Sequence, residues 1–532
     1  MSGSSPFLGV RGIAVLLALV ALKVYFHPHF PKMTNANEYS RLYLVESAVL
    51  DHALCINKAI QRHGPIQDRS QVGNCVLSDK APGSAFLGMA VYWPVHRIWG
   101  TLDISRLLFL LRTAISLLPT LLMLLLLASY LGRVAGDERL ALAGAALYLL
   151  GTPACTYSSL YFAHQASAVC LFTAFFIAAS PGKLGTLACA AWGLLLGIGF
   201  SLEYQNFLFY IPIFVMLLIR APKKLPALLA SGCGTLVFVA LTLGYNYFAF
   251  GGPFETGYTH LASAYFQKVH QQGFLGFTLP PKPDNLWVSF LSPSKGLFFF
   301  APFLGLGVLG IPLLFTAKTW KEGGGVVALE ILFYAFFISL MVYCTGGWSV
   351  SQRHLTPMAP FLVIPAVLLL EKLEKWSFGP ASDLAWGLAL VSVFHTYVST
   401  AVFPHFPEAY RNPVYQLAIP LIREGYAPHS LGRLIGLSGL VSYLPAFLLA
   451  LFLVFGLALW GRKAGEAARR SILMIMVVAA FAVPFSLLHR DRTGDEKRAD
   501  GFVRSIYNPP KDGPPKSIED IIRQKREGKS YF

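Results

Sequence analysis

The chain has 532 residues, of which 55% are hydrophobic and only 13% charged, with a mean hydropathy of +0.56 and a formal net charge of +16. A globule in water cannot hide that much apolar surface, so the composition excludes a soluble globular protein and points to a polytopic membrane protein. The positive charge needs no nucleic-acid partner, because basic residues in short connectors set orientation in the bilayer.

Apolar runs near residues 10–26, 107–131, 140–155, 160–179, 184–201, 207–219, 225–250, 297–315, 326–344, 355–370, 384–403, 441–460 and 472–488 recur along nearly the whole chain. They approach the roughly 20 helical residues needed to cross a hydrocarbon core. The expected fold is therefore an all-α polytopic membrane protein with about thirteen spans, helical because lipid offers no partner for bare backbone groups. The first run is followed by "KVYFHPHFPKM", which lacks a small-residue cleavage pattern and reads as an uncleaved anchor. Arg133, Arg139, Lys183, Arg220, Lys223, Lys224, Lys318, Lys321, Lys372, Lys375, Arg462, Lys463, Arg469 and Arg470 all fall on one side if the N-terminus is cytoplasmic. That leaves 27–105, 156–159, 203–205, 251–296, 346–354, 404–439 and the tail from His489 outside. Residues 1–488 form the membrane domain and 489–532 a charged, Pro-rich appendage, with one short helix expected over 517–526.

Polar chemistry gathers on the outer side, and ionisable groups at span mouths are costly enough to mark a functional site by default. In "NEYSRLYLVESAVLDHALCINKAIQRHG", Leu42, Val45, Val49, Ala53, Ile56 and Ile60 recur at helical spacing and predict a surface helix. Glu38 stands near its start with Arg41 three residues on, close enough to pair; alone, Glu38 reads as a carboxylate favoured by the helix dipole. Next comes "SDKAPG", where Asp79 and Lys80 alone read as a salt-bridged turn, and then a second surface or re-entrant helix in "SAFLGMAVYWPVHRIWG". The late loop "YCTGGWSVSQRHLTP" brings Trp348, Arg353 and His354 to a span mouth. Arg353 either snorkels to headgroups or uses its planar fork on a phosphate.

The order and shared side of "NEYSR", "DKAPG" and "GGWSVSQRHLTP" resemble the integral-membrane C-type (GT-C) glycosyltransferases that use polyprenyl-phosphate sugars. The likeness runs over roughly residues 1–370 and is nearest to the bacterial branch with aminoarabinose transferase and the protein O-mannosyltransferases. Glu stands where that branch has Asp in the first loop, and Ala81 separates Lys80 from Pro82. The resemblance implies a bacterial inner (plasma) membrane location and an extracytoplasmic active site. It implies that Lys80 and Arg353 contact the donor phosphate, that Glu38 is the general base, and that transfer inverts the anomeric carbon because no covalent intermediate is needed. Asp79 is then either a partner of Lys80 or a substitute base. Partners are the polyprenyl-phosphate sugar, an envelope lipid, glycan or protein acceptor, and membrane lipids.

His164 in "YFAHQASA" and Glu203-Tyr204 in "SLEYQNF" lie at outer span ends as candidates for sugar hydrogen bonds. The 251–296 segment, with His260 and His270, is long for a connector and predicts a cover over the site. Cys55 and Cys75 share the first outer loop and form a candidate disulfide, whereas Cys155, Cys170, Cys189, Cys233 and Cys344 sit in or beside spans. No cofactor is required; without Cys-x-x-Cys, His-x-x-x-His or an outer Asp-x-Asp, a divalent metal held by Glu38, Asp79 and a histidine has little support. A lipid-linked sugar flippase or other transporter, and a polysaccharide polymerase or ligase, remain the alternative functions; a transporter would place ionisable groups near mid-membrane.

Overall fold

The computed structural model describes residues 9–27, 35–180, 182, 184–273, 276–376, 379–426, 430–487 and 493–507. The chain is a helical bundle, and all thirteen apolar runs fall on helix. Among the described residues six helices are long and apolar enough to cross a membrane: Ile104–Ala135, Lys224–Phe250, Arg353–Lys375, Gly379–Val402, Gly439–Leu459 and Ala464–Phe485. The other expected runs fall on shorter helices, so length and composition support six crossings directly rather than thirteen.

Burial separates centre from rim. Windows of Gly379–Val402 and Arg353–Lys375 are 89% and 83% buried, whereas those of Lys224–Phe250 and Ala464–Phe485 are 17% and 11% buried. The latter pair present apolar faces outward, as lipid-facing helices do. The basic connectors collect at one end. There Glu374 accepts from Arg139, Arg462, Arg470 and the Trp386 indole, and Asp383 pairs with Arg469 and Arg470.

The opposite end carries the polar segments. Helix α1 (Val10–Tyr25) leads to α2 (Ala36–Leu50) and α3 (Asn57–His63), a short hairpin of β1 (Ser70–Val72) and β2 (Cys75–Leu77), and α4 (Gly83–Trp99). The single surface helix expected over this stretch is instead two helices. The chain leaves α2 at Asp51, His52 takes a left-handed φ of 50°, and Cys55 is bonded to Cys75. Nor does α2 lie on a surface: Asn37 to Ser47 are all buried, because its polar residues find partners on neighbouring segments. Glu38 and Arg41 do not pair with each other; Glu38 meets Arg112, and Arg41 meets Glu203. Helix α4 does have one packed face, with Gly83, Ser84, Ala85, Gly88 and Tyr92 buried, and an apolar edge of Trp93, Ile98 and Trp99 exposed.

The Cys55–Cys75 bond closes a separation of 20 residues just before the Asp79-Lys80 turn. A loop of that length stabilises the segment by about 3 kcal/mol through the unfolded chain. Cys75→Ser is therefore expected to speed proteolytic cutting within 51–78 at least tenfold while leaving the helical bundle intact; a wild-type digestion pattern would refute this.

The tail also departs from expectation. Residues Gly494–Tyr507 form a helix that buries Ala499, Phe502 and Val503 against Trp348, Tyr410 and their neighbours. Arg504, paired with Asp500 one turn earlier on the same helix, ties the helix to Glu424. Composition hid this element because three apolar positions at i, i+3 and i+4 are enough for docking, yet are diluted by charge. The helix expected over 517–526 lies outside the described residues.

Candidate functional site

Segments far apart in sequence converge where α2 and α4 meet the mouths of the central helices. Ser40 on α2 donates to Asp79 Oδ1 at 2.9 Å, which locks α2 to the turn before α4. Two glycines make that turn buildable. A Cβ at Gly83 would lie 2.4 Å from the Ser201 carbonyl carbon, and one at Gly257 would lie 2.7 Å from the Asp79 Cα. The first brings the turn against the helix end at Glu203. The second lets the 251–296 segment press on Asp79, where Ser70 also donates to the Gly257 carbonyl at 2.6 Å.

Lys80 reaches Asp79 at 2.9 Å and Asp68 at 2.8 Å. Asp68 lies in a polar loop without a motif, and sequence reasoning missed it. Burial works against the charged Lys80 amine, but Asp68 and Asp79 hold it above its ordinary value. Burial likewise acts to raise the Asp68 carboxyl, and Lys80, then Arg353 and Arg41, hold it below its usual range. Lys80, Arg353 and Arg41 therefore all act on the Asp68 carboxylate.

Arg41 donates to the Asn37 carbonyl at 3.0 Å and approaches Glu203 at 3.5 Å. His164 lies 3.7 Å from Glu203, and its ring meets His354 at 4.9 Å. Arg353 stands differently. Its guanidinium carbon sits 5.7 Å over the Phe162 ring, and among the described residues its buried Nε has no hydrogen-bond partner and no carboxylate lies within ion-pair distance of it. The 251–296 segment contributes Tyr258: burial first, then Glu203 and Asp79, push its hydroxyl up, opposed by Arg41 and Arg353.

Glu38 is adjacent but separate. Arg112 Nε donates to it at 2.8 Å and Arg112 Nη2 pairs with its other oxygen; the Tyr161 backbone N–H donates at 2.6 Å. Burial would raise this carboxyl, but the Arg112 charge and hydrogen bonds, then His405 and Tyr161, keep it below its ordinary range. His405 lies 3.8 Å away; burial lowers its imidazole to about 4, with Glu38 opposing the shift. Arg112 was legible as a lone cation inside an apolar run, and such residues seek buried partners.

Of the remaining candidates, Tyr204 donates to Asn246 at 3.2 Å and faces the Tyr258 ring, and His270 stacks on Tyr258. His260 lies against Glu255 and Phe250, within the 251–296 segment and the helix end that leads into it. Trp348 accepts from the α2 capping residue Asn35 through its carbonyl at 3.1 Å and packs on Phe502 of the tail helix. Among the described residues no group of three or more His, Cys, Asp or Glu is placed to hold a metal ion.

Fold and site define an integral membrane protein whose bundle ends in a partly buried cluster of three cations and three carboxylates, with one of the cations unpaired among the described residues. No family model and no curated protein matches the sequence. Among solved structures, the chain is similar to ArnT from Cupriavidus metallidurans in the apo state, with 13% identity and a TM-score of 0.44 over 93% of this chain and 78% of that one. The same protein bound to undecaprenyl phosphate gives 13% and 0.43 over 94% and 80%. The archaeal oligosaccharyltransferase AglB from Archaeoglobus fulgidus, in complex with an inhibitory peptide and a dolichol-phosphate, gives 14% and 0.39 over 77% and 57%. Likeness at this level transfers neither fold nor reaction, so the functional reading stands on the site.

Proposed function

We propose that this chain is a membrane glycosyltransferase that moves a sugar from a polyprenyl-phosphate donor to an acceptor on the extracytoplasmic side, with inversion. The observation that carries this reading is Arg353, a cation without a carboxylate partner among the described residues, at the same end of an apolar bundle as Lys80. An unpaired guanidinium in a largely buried cluster suits a phosphate, which it grips with two parallel hydrogen bonds. The isoprenoid chain lies along the bundle while its headgroup reaches the cations.

The acceptor hydroxyl attacks the anomeric carbon, the bond from that carbon to the phosphate oxygen breaks, and the electron pair leaves with the polyprenyl phosphate. Lys80 and Arg353 stabilise the charge that grows there. The leaving group departs as an anion, so no acid is needed. The hydroxyl proton goes to Asp79. That carboxylate is held by Ser40 and Lys80, and as Lys80 turns to the phosphate its Oδ2 is freed. Glu38, saturated by Arg112 and the Tyr161 N–H, serves better to fix α2, and with it Ser40, than to receive a proton. Asp68 holds Lys80 in place before the donor arrives.

The transporter alternative has one observation in its favour: Glu330 is wholly buried inside helix Gly324–Leu340, and neither carboxyl oxygen has a hydrogen-bond partner among the described residues. The test is transfer by the purified protein in nanodiscs, supplied with a panel of decaprenyl-phosphate sugars and membrane-lipid, glycan and peptide acceptors. Asp79→Asn is expected to slow transfer about 100-fold or more, as loss of a general base does, while binding decaprenyl phosphate within threefold of wild type. Wild-type turnover in that variant would remove Asp79 from the base role. Donor lipid moved across vesicles without any sugar transfer would favour the transporter.

A further inference from the structure

We propose that Lys295 is the positioning residue that sets the Arg353 guanidinium, by stapling the turn over residues 346–351; this rests on the glycosyl-transfer reading of the site. Lys295 sits between the helical segments Trp287–Leu291 and Leu297–Phe300 and is 3% exposed. Its Nζ donates to the Gly347 carbonyl at 2.7 Å, the Ser349 carbonyl at 2.8 Å and the Ser349 hydroxyl at 3.0 Å. Its own carbonyl accepts from the Ser351 hydroxyl at 3.4 Å. Side chain and backbone of one residue thus hold both halves of the turn.

The turn needs that hold. Gly346 and Gly347 adopt φ of 71° and 69°, and Ser351, which carries a side chain, adopts 54°. A non-glycine residue persists in the left-handed region only where its surroundings over-determine it. The turn is also coupled directly to Arg353, since a Cβ on Gly346 would lie 3.4 Å from both Cγ and Nε of that arginine. The guanidinium stem therefore rests on the Gly346 backbone, and displacement of the turn displaces the phosphate-binding group.

The three acceptors match the three N–H bonds of an ammonium. Among the described residues no carboxylate pairs with Lys295; Glu408, the nearest influence of opposite sign, is engaged by Tyr343 and Thr345. Burial lowers the amine to about 7, with Glu408 opposing and Arg353 adding to the shift. A lysine held this way works through directed hydrogen bonds more than through charge. Other neighbours of the turn hold different atoms: Asn35 donates to the Trp348 carbonyl at 3.1 Å, the Tyr157 hydroxyl donates to the Val350 carbonyl at 2.8 Å, the Ser349 N–H donates to the Phe406 carbonyl, and the Trp348 ring packs on Phe502.

The experiment compares full-length wild type, Lys295→Met, Lys295→Arg and Ser349→Ala in nanodiscs. In Lys295→Met, amide hydrogen exchange over 345–352 is expected to rise at least tenfold without change in the central helices. Affinity for decaprenyl phosphate should fall about tenfold and the donor KM rise to match, with kcat lowered less. Lys295→Arg, which returns donors to the same acceptors, should recover part of both losses. Wild-type exchange over 345–352 together with wild-type affinity in Lys295→Met would overturn the proposal. Should that variant fail to fold, Ser349→Ala removes one acceptor alone and should show the same two changes at about threefold; silence in both would also overturn it. If wild type itself neither binds decaprenyl phosphate nor transfers sugar, the functional reading fails, and the exchange arm still decides whether Lys295 holds the turn.

Discussion

Lys80→Gln and Arg353→Gln are each expected to lower sugar transfer by about 100- to 1,000-fold, the range for removing one preorganised donor from a site where negative charge develops. The two should differ in kind. Arg353 has no carboxylate within ion-pair distance among the described residues, so its loss should act mainly on the donor, raising KM and lowering kcat with little change in stability. Arg353→Lys should rescue poorly, because a point charge on a flexible stem cannot reproduce a planar fork lying over Phe162. Lys80 sits between Asp68 and Asp79, and removing it leaves two carboxylates facing each other in a buried place. Lys80→Gln should therefore also weaken the fold and make it more sensitive to acid. In wild type the Asp68 carboxyl is held below its ordinary value, so its contribution is complete at neutral pH and is lost only as pH falls through the folded value. Without Lys80 that loss moves to higher pH. Initial rates against donor concentration, with unfolding followed between pH 4 and 7, test both statements; equal stability and acid sensitivity of the two variants would refute the distinction.

Arg112→Met is expected to be strongly destabilising, by about 3–5 kcal/mol, because it strands Glu38 as an uncompensated charge at 0% exposure. Removing both members together should cost much less, since a neutral pair of similar volume needs no solvation. The double variant Glu38→Gln with Arg112→Met should therefore recover most of the loss, and a double-mutant cycle read by SDS-driven unfolding should give a coupling of about 2 kcal/mol or more. Additive losses would show that the pair does not act as a unit. The cycle also bears on mechanism: if the doubly neutral protein keeps measurable transfer, Glu38 acts by holding α2 and the base lies elsewhere.

Much of the architecture follows from composition alone. Lipid forbids unpaired backbone, so apolar runs had to become helices, and the clustering of Lys and Arg in alternate connectors put the basic segments at one end of the bundle. Short motifs at span mouths also singled out Asp79, Lys80 and Arg353, since charge beside so much apolar sequence is costly unless used. The partners of those groups were not legible. Asp68, His405 and Lys295 belong to segments 12 to 367 positions from the residues they serve, in stretches with no repeated spacing. Which cation neutralises which carboxylate depends on helix crossings and on two glycines that permit backbone contact, and these are properties of the packed chain.

The sequence by itself thus determined a helical membrane protein with its reactive chemistry at one end, because hydrophobic content and charge placement are local quantities. Only the tertiary structure decided that Glu38 is spoken for while Arg353 stands without a counterion among the described residues. Pairing in a buried site is settled by distances of about 3 Å between distant segments, where electrostatic energies change steeply with separation and solvent is excluded.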